Sequence, residues 1–266
     1  MAASIIAIGD ELISGYTLDT NSNWMAQRLR GLGHTLKRVT QVRDREEEIV
    51  EQVRRELADP EVTEVFCTGG LGPTPDDRTF SALSVALGRE LVIEESVRER
   101  IQRRLQRMQE AGLVGEAELS EGHLRMAMVP AGAAAVLRNR VGSAPGMVYD
   151  LEGTRLFVLP GVPPELKAIF AEEIEPGYLA GASPTTVREI RLQFAVEGRF
   201  WPVLKELEET HPQVTVGSYP NFDTKELTLR CTGADLAHVA DAIAVLSRFA
   251  ETLGYAVRQP SAGRVG

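Results

Sequence analysis

Apolar positions along the first part of the chain alternate between two periods, and the alternation predicts its elements. Residues 4–8 are a short apolar run, Ser4-Ile5-Ile6-Ala7-Ile8, of the kind that fills a buried strand. Residues 22–32 carry Trp24, Met25, Leu29 and Leu32 at helical spacing and stop at Gly33. A strand over 35–42 follows, then a helix over 46–57 with Ile49, Val50, Val53 and Leu57 on one face. A third strand, 64–68, runs into Gly69-Gly70-Leu71-Gly72-Pro73, and 79–87 is helical with Leu83, Ala86 and Leu87 facing inward. Strand, helix, strand, helix, strand is the pattern of a parallel sheet covered on both faces.

Residues 94–108 predict a charged helix whose apolar side is Val97, Ile101, Leu105 and Met108. Its arginines, Arg98, Arg100, Arg103, Arg104 and Arg107, fit a solvated face better than a phosphate-facing one. Strand-like pieces at 134–137, 146–149 and 155–159 precede a helix over 163–174 that opens on proline. Residues 176–184 turn to Pro, Gly, Ala and Ser and are the candidate linker. Beyond it the order becomes strand (187–196), helix (200–210), strand (214–219), strand (226–232) and helix (234–253), a small α+β unit. The expected domains are therefore 1–176 and 185–256.

Composition narrows the function. A formal net charge of −9 excludes broad nucleic-acid binding, which needs a positive field, but not an anionic small ligand. The N-terminal apolar run is too short to span a bilayer, has no basic region before it, and meets Gly9-Asp10-Glu11 at once, so no membrane association is expected. Cys67 and Cys231, widely separated within apolar runs, read as reduced core residues of a cytoplasmic protein. The four histidines lack metal-ligand spacing and read as surface or helix-terminal residues. With no Gly-x-Ser-x-Gly elbow, Walker lysine loop or CxxC pair, covalent catalysis is not expected.

Thr68-Gly69-Gly70-Leu71-Gly72-Pro73-Thr74-Pro75-Asp76-Asp77-Arg78-Thr79 carries the strongest chemistry. Its three glycines let the backbone approach a ligand and aim successive N–H groups at one spot, and the following helix start adds positive potential. Thr74 and Thr79 can donate hydroxyls. The plainer alternative, a strand-to-helix turn capped by Asp76 or Asp77, leaves most of the loop unexplained. Adjacent carboxylates would repel a phosphate unless a divalent cation lay between them, so Mg²⁺, Mn²⁺ or Co²⁺ is the expected cofactor.

Asp10 and Glu11 follow the first strand, and ligands of open α/β sheets bind at the carboxyl ends of strands, so both should share the rim of Asp76 and Asp77. Asp19-Thr20-Asn21 is either a helix cap or a ligand contact, and Asp44, closing the second strand, either a cap or a site residue. The Gly/Pro turns near 129–133, 137–139, 142–146 and 159–165 would bring Asn139, Gly146 and Gly161 beside the first loop.

These residues resemble the molybdopterin-binding superfamily, and within it the N-terminal part of the competence/damage-inducible CinA proteins. The marks are Gly-Asp-Glu-Leu at 9–12, Asp19-Thr20-Asn21, the loop 68–79, Val129-Pro130-Ala131-Gly132-Ala133, Ser143-Ala144-Pro145-Gly146 and Leu159-Pro160-Gly161-Val162-Pro163, in unbroken order. The resemblance implies a three-layer MoaB/MogA-like α/β fold with a smaller KH-like α+β domain. It implies metal-dependent hydrolysis of a nucleotide diphosphate, ADP-ribose to AMP and ribose 5-phosphate, with Asp44 and Asp77 as functional aspartates. Asp76 joins them as a catalytic candidate, Asp10, Glu11, Asp44 and Asp77 are the candidate metal ligands, and Gly69, Gly70, Gly72, Thr74, Thr79, Asn21, Asn139, Gly146 and Gly161 the candidate nucleotide contacts. A homo-oligomer, dimer or trimer, is expected.

Within the same superfamily, binding molybdopterin or adenylylating it is the alternative, and a non-catalytic nucleotide-binding module a third reading. Full-length CinA proteins continue into a deamidase domain, and the chain is expected to lack that activity. Val196-Glu197-Gly198-Arg199-Phe200 lacks the Gly-Ile-Gly-Glu-Ser run of the longer proteins and, with Gly217-Ser218-Tyr219-Pro220, looks more like short stand-alone relatives. A KH domain that binds RNA needs a Gly-x-x-Gly clamp between helices. The only such spacing in this region is Gly263-Arg264-Val265-Gly266, so the small domain is expected to be structural or dimer-forming.

Overall fold

A computed structural model describes residues 2–181 and 185–258. Among them two compact units separate, one of residues 2–29 with 34–181, the other of 30–33 with 185–258. The first unit begins with β1 (Ala2–Ile8), α1 (Asp10–Ile13), α2 (Thr20–Gly31, all but its last two residues), β2 (Thr35–Val42), α3 (Glu46–Leu57), β3 (Val62–Thr68) and α4 (Thr79–Leu87). It continues through β4 (Leu91–Ile93), α5 (Glu95–Glu110), α6 (Glu121–Ala127), β5 (Met128–Pro130), β6 (Ala135–Leu137), β7 (Gly146–Leu151), β8 (Thr154–Leu159), α7 (Pro163–Ile169) and α8 (Glu175–Tyr178).

Six of these strands form one sheet in the order β2-β1-β3-β8-β7-β6. The first four are mutually parallel, and β7 and β6 are antiparallel to their neighbours, giving the mostly parallel α/β architecture. Because β7 and β6 reverse, the connection between them returns to the rim where β1, β2, β3 and β8 end. Successive strand residues face opposite sides. Val65 and Cys67 of β3 therefore join Ile49, Val53 and Leu83 of α3 and α4. Phe66, between them, stacks on Phe157 at 4.8 Å and meets Phe170, which also touches Trp24 of α2. Both faces are thus covered, and three layers result.

The charge placement on α3 suits its ends: Glu46, Glu47 and Glu48 open it and Arg54 and Arg55 close it, each sign matching the helix dipole. Cys67 and Cys231 are free and buried, and burial pushes the Cys67 thiol up to about 12.

Several sequence expectations are corrected. The helix expected over 163–174 is α-helical only to Ile169 and widens into a π-turn over Phe170–Ile174. Part of the expected linker, from Pro176 to Tyr178, is helical, while 182–184 lies outside the described residues. The turn expected at 129–133 starts as β5, paired antiparallel with β4. His34 is not a surface residue: it is 2% exposed, bonded through Nδ1 to Glu64 at 2.8 Å and through Nε2 to the Leu179 carbonyl at 3.3 Å.

The second unit contains β9 (Thr186–Gln193), α9 (Trp201–Thr210), β10 (Thr215–Asn221), β11 (Glu226–Gly233), α10 (Leu236–Thr252) and β12 (Val257–Arg258). Its antiparallel sheet runs β10-β11-β9-β12, and Leu229, Cys231 and Ile190 pack under Leu207 and Leu246. The Gly263–Gly266 spacing lies outside the described residues. Among the described residues no helix is long and apolar enough to cross a membrane.

Candidate functional site

The carboxyl ends of β1, β2, β3 and β8 open onto a cavity of about 630 Å³. Its size suits a nucleotide-sized ligand. Gly69, Gly70 and Gly72 form its floor, Glu11, Asp44, Asp76 and Asp77 one rim, and Gly161, Gly142 and Ala144 the far side.

The loop after β3 is built around glycine for steric reasons. Gly69 has φ +104, and a side chain there would collide with the Ile8 carbonyl of the neighbouring strand. Gly72 faces Asp77 so closely that a Cβ would stand 2.6 Å from its carboxylate. The closeness has a purpose. Asp77 accepts the Gly72 amide at 2.6 Å on one oxygen and the Thr74 amide at 2.8 Å on the other, which also accepts the Thr74 hydroxyl. Asp77 therefore clamps the loop. Neither it nor Asp76 caps α4, whose N-cap is Arg78 without a side-chain bond.

Asp44 is placed differently. It does not cap α3, whose N-cap is Arg45; its Oδ2 accepts the Asp10 amide at 2.8 Å across the ends of β1 and β2. Burial pushes the Asp44 carboxyl above its ordinary value, against the lowering effect of the Asp10 amide, and Glu11, Asp10 and Asp76 push it further up. A would-be Cβ on Gly70 comes 3.4 Å from Asp44 Oδ1, so this carboxylate reaches over β1 to the glycine loop. Among the described residues Asp10, Glu11, Asp44 and Asp77 make no ion pair with Lys, Arg or His.

The rim of acids is not a cage. Among the described residues no three His, Cys, Asp or Glu side chains converge closely enough to enclose an ion. Asp10 is on the rim through its amide and is not among the lining residues, and both Asp77 oxygens are occupied by the loop. The donor set still suits Mg²⁺, which takes one or two carboxylates and completes its shell with substrate phosphate and water. Of the metal ligands expected from the sequence, Asp44 and Glu11 are the side chains available for that.

Of the other expected nucleotide contacts, Gly161 and Asn21 line the cavity. Asn21 donates Nδ2 to the Gly161 carbonyl at 2.7 Å while its Oδ1 is buried without a partner; the start of α2 is held instead by Asp19, which accepts the Ser22 amide. Thr79 is fully buried and donates to the Gly69 carbonyl at 2.8 Å, so it braces the loop from beneath. Thr74 is engaged with Asp77. Asn139 is buried, accepting the Val141 and Gly142 amides and donating to the Ala144 carbonyl. Gly146 packs against Ile169 and Leu137 inside β7. These four shape the site without lining it.

One contributor departs from the sequence reading. Arg104, assigned to a solvated face, lines the cavity and donates to the Val141 carbonyl at 2.9 Å. One turn earlier Arg100 donates to the Leu137 carbonyl at the end of β6, and no local spacing distinguished Arg104 from its helical neighbours.

Residues 4–179 match the family model described as "Probable molybdopterin binding domain". A protein of Pyrobaculum calidifontis is 38% identical over 220 residues, 82% of this chain and 80% of that protein. One of Thermococcus kodakarensis is 39% identical over 210 residues, 79% of this chain and 82% of that protein. Among solved structures, CinA of Thermoplasma acidophilum, a protein described as of unknown function, is 32% identical with a TM-score of 0.57, over 64% of this chain and 94% of that one. The glycine loop, the Asp44 rim and all of the six-stranded sheet but the first two residues of β1 fall within the matched residues, and the chain belongs to the molybdopterin-binding-domain family.

Proposed function

We propose that the cavity binds a nucleotide diphosphate and hydrolyses it in a metal-dependent reaction, ADP-ribose to AMP and ribose 5-phosphate being the model case. The observation that carries this reading is the meeting of Asp44, partly desolvated among like charges, with the bare backbone of Gly69–Gly72. The backbone suits an anion and the carboxylates repel one; a cation between them resolves the conflict.

In the reaction, water oxygen forms a bond to one phosphorus, the bridging P–O bond breaks, and the bridging oxygen leaves with the other phosphate, one water proton going to each product. Asp44 and Glu11 would hold the cation, which would supply charge neutralisation and acidify water at the site. The amides of Gly69–Gly72 receive phosphoryl oxygens as charge develops on them. Asp77 and Thr79 keep those amides aimed, and Asn21 fixes the Gly161 turn across from them. The protein is taken to act in the cytoplasm as a homo-oligomer, a state that light scattering of the purified chain tests.

The test of the activity is AMP release from ADP-ribose, FAD and NADH with Mg²⁺, Mn²⁺ or Co²⁺. Release that requires metal and disappears in Asp44→Asn supports the reading; metal-replete protein that cleaves none of them overturns it. The family description favours a second reading, binding of molybdopterin, to which the sequence resemblance adds its adenylylation. Tight pterin binding without AMP release from any diphosphate would select it.

A further inference from the structure

Among the described residues lining the cavity, Arg104 is the one cationic side chain. Its helical neighbours are engaged elsewhere: Arg98 with Glu95 at 2.7 Å and Arg103 with Glu99 at 3.7 Å. Arg104 makes no ion pair among the described residues, and its tie to the Val141 carbonyl leaves most of its five N–H donors uncommitted. One turn earlier on α5, Arg100 has Nε and Nη2 buried without a partner. Glu165 lies close by and partly offsets that charge, but its carboxylate accepts from Asn139 and is packed against Gly142. An arginine exposed to a cavity whose opposite rim is acidic is suited to an anion and to little else.

Its place in the sheet says which anion. The connection between β6 and β7, held in shape by Asn139, presents Gly142, Ser143 and Ala144 to the cavity beside Arg104. Its ends stand two and three strands beyond β3, whose loop is the phosphate-suited backbone. Even the nearer end, two strand spacings away, is about 10 Å off, farther than the separation of neighbouring phosphoryl groups in one diphosphate. A group meeting Arg104 is therefore a separate one.

We propose that Arg104, backed by Arg100, receives a second anionic group of the ligand, a phosphate carried on a sugar beyond the diphosphate. The placement of the first group rests on the diphosphate reading above. The substrate class is then a sugar-phosphorylated nucleotide diphosphate rather than ADP-ribose itself.

Calorimetric titration of the full chain with Mg²⁺ tests this with three ligands: ADP-ribose, its 2′-phosphate and its 3′-phosphate. At least one phosphorylated form should bind about 10- to 100-fold more tightly than ADP-ribose, the scale of a charge-assisted bidentate contact. Arg104→Gln should erase that difference, Arg104→Lys should keep part of it, and Arg103→Gln, altering a side chain paired to Glu99, should leave it intact. Equal affinity of the wild-type chain for all three ligands overturns the proposal, as does a preference that survives Arg104→Gln. Failure of the wild-type chain to release AMP overturns hydrolysis alone, because the affinity comparison is read without turnover. Absence of binding by all three ligands overturns both.

Discussion

The two units handle acidic side chains in opposite ways. In the second unit the acids that lie in the fold's contacts are answered: Glu189 receives Arg230 at 2.5 Å, Asp241 lies 3.0 Å from His211, and Asp235 accepts two amides at the start of α10. At the rim of the first unit Glu11 and Asp44 stand among further carboxylates with no basic partner, and the charge of Asp44 is penalised by burial as well. An answered acid stabilises its surroundings, whereas an unanswered one is kept at the expense of stability, which makes it a candidate for function.

The most direct way to break that contrast is to remove the unanswered charge. Asp44→Asn should lower AMP release by about 10³-fold, the scale of losing a cation's transition-state stabilisation. The same change should raise the melting midpoint at neutral pH by about 2 °C. The sign follows from the raised carboxyl: the ionised form is disfavoured in the fold, so the penalty grows as pH rises through the unfolded value of 3.8 and is complete above the folded one. The stability gain should accordingly vanish in acid. An Asp44→Asn protein that is less stable than wild type at pH 7 would make Asp44 a structural residue.

Next in size is the backbone. Gly69→Ala combines a left-handed φ with a collision against the Ile8 carbonyl and should cost roughly 3 kcal/mol. Gly254→Ala in the second unit meets a comparable φ of +82 but open space, and should cost only about 1–2 kcal/mol. Urea midpoints compare them. Equal losses would mean that the glycine loop is tight by conformation only and not by close approach.

Much of this contrast was visible in the sequence and some was not. The alternation of apolar runs gave the order of strands and helices through β3 and α4, because each element is long enough to show its period. The strands β4 and β5, three residues each, show none. The acids at 10, 11, 44, 76 and 77 could be placed on one rim, since strand ends in a parallel sheet must meet. Nothing local said that Asp77 would turn into its own loop while Asp44 would turn to the cavity; that choice depends on Gly72 yielding space to one and the Asp10 amide anchoring the other. Arg104 and His34 escaped for the same reason, as the partners that draw them in, Val141 and Glu64, lie 37 and 30 positions away.

The clamp role of Asp77 gives the third prediction. Asp77→Ala strands the Gly72 and Thr74 amides and should cost about 1–3 kcal/mol of stability. Because the amides lose their aim rather than the reaction its metal, KM for ADP-ribose should rise about 10-fold while kcat falls by less. A collapse of kcat with unchanged KM and stability would make Asp77 a metal ligand after all and move it into the class of Asp44.

The smallest effect tests the answered side of the comparison. Asp235 accepts the Ala237 and His238 amides at 2.7 and 3.0 Å, the first free donors of α10, a helix whose Val239, Ala242, Leu246 and Ala250 form much of the second unit's core. Those amides hold the Asp235 carboxyl below its ordinary value, the His238 amide most. A lowered carboxyl contributes stability that is present above the unfolded value of 3.8 and is lost as pH falls through the folded one. Asp235→Ala should therefore lower the melting midpoint slightly at pH 7, and the gap from wild type should close below about pH 4. Asp44→Asn should run the other way, its advantage over wild type also closing in acid. Opposite signs at pH 7 that converge at low pH would establish that one unit uses its carboxylates to hold the fold and the other holds its fold around carboxylates it does not need for stability. A parallel response of the two variants would remove the distinction.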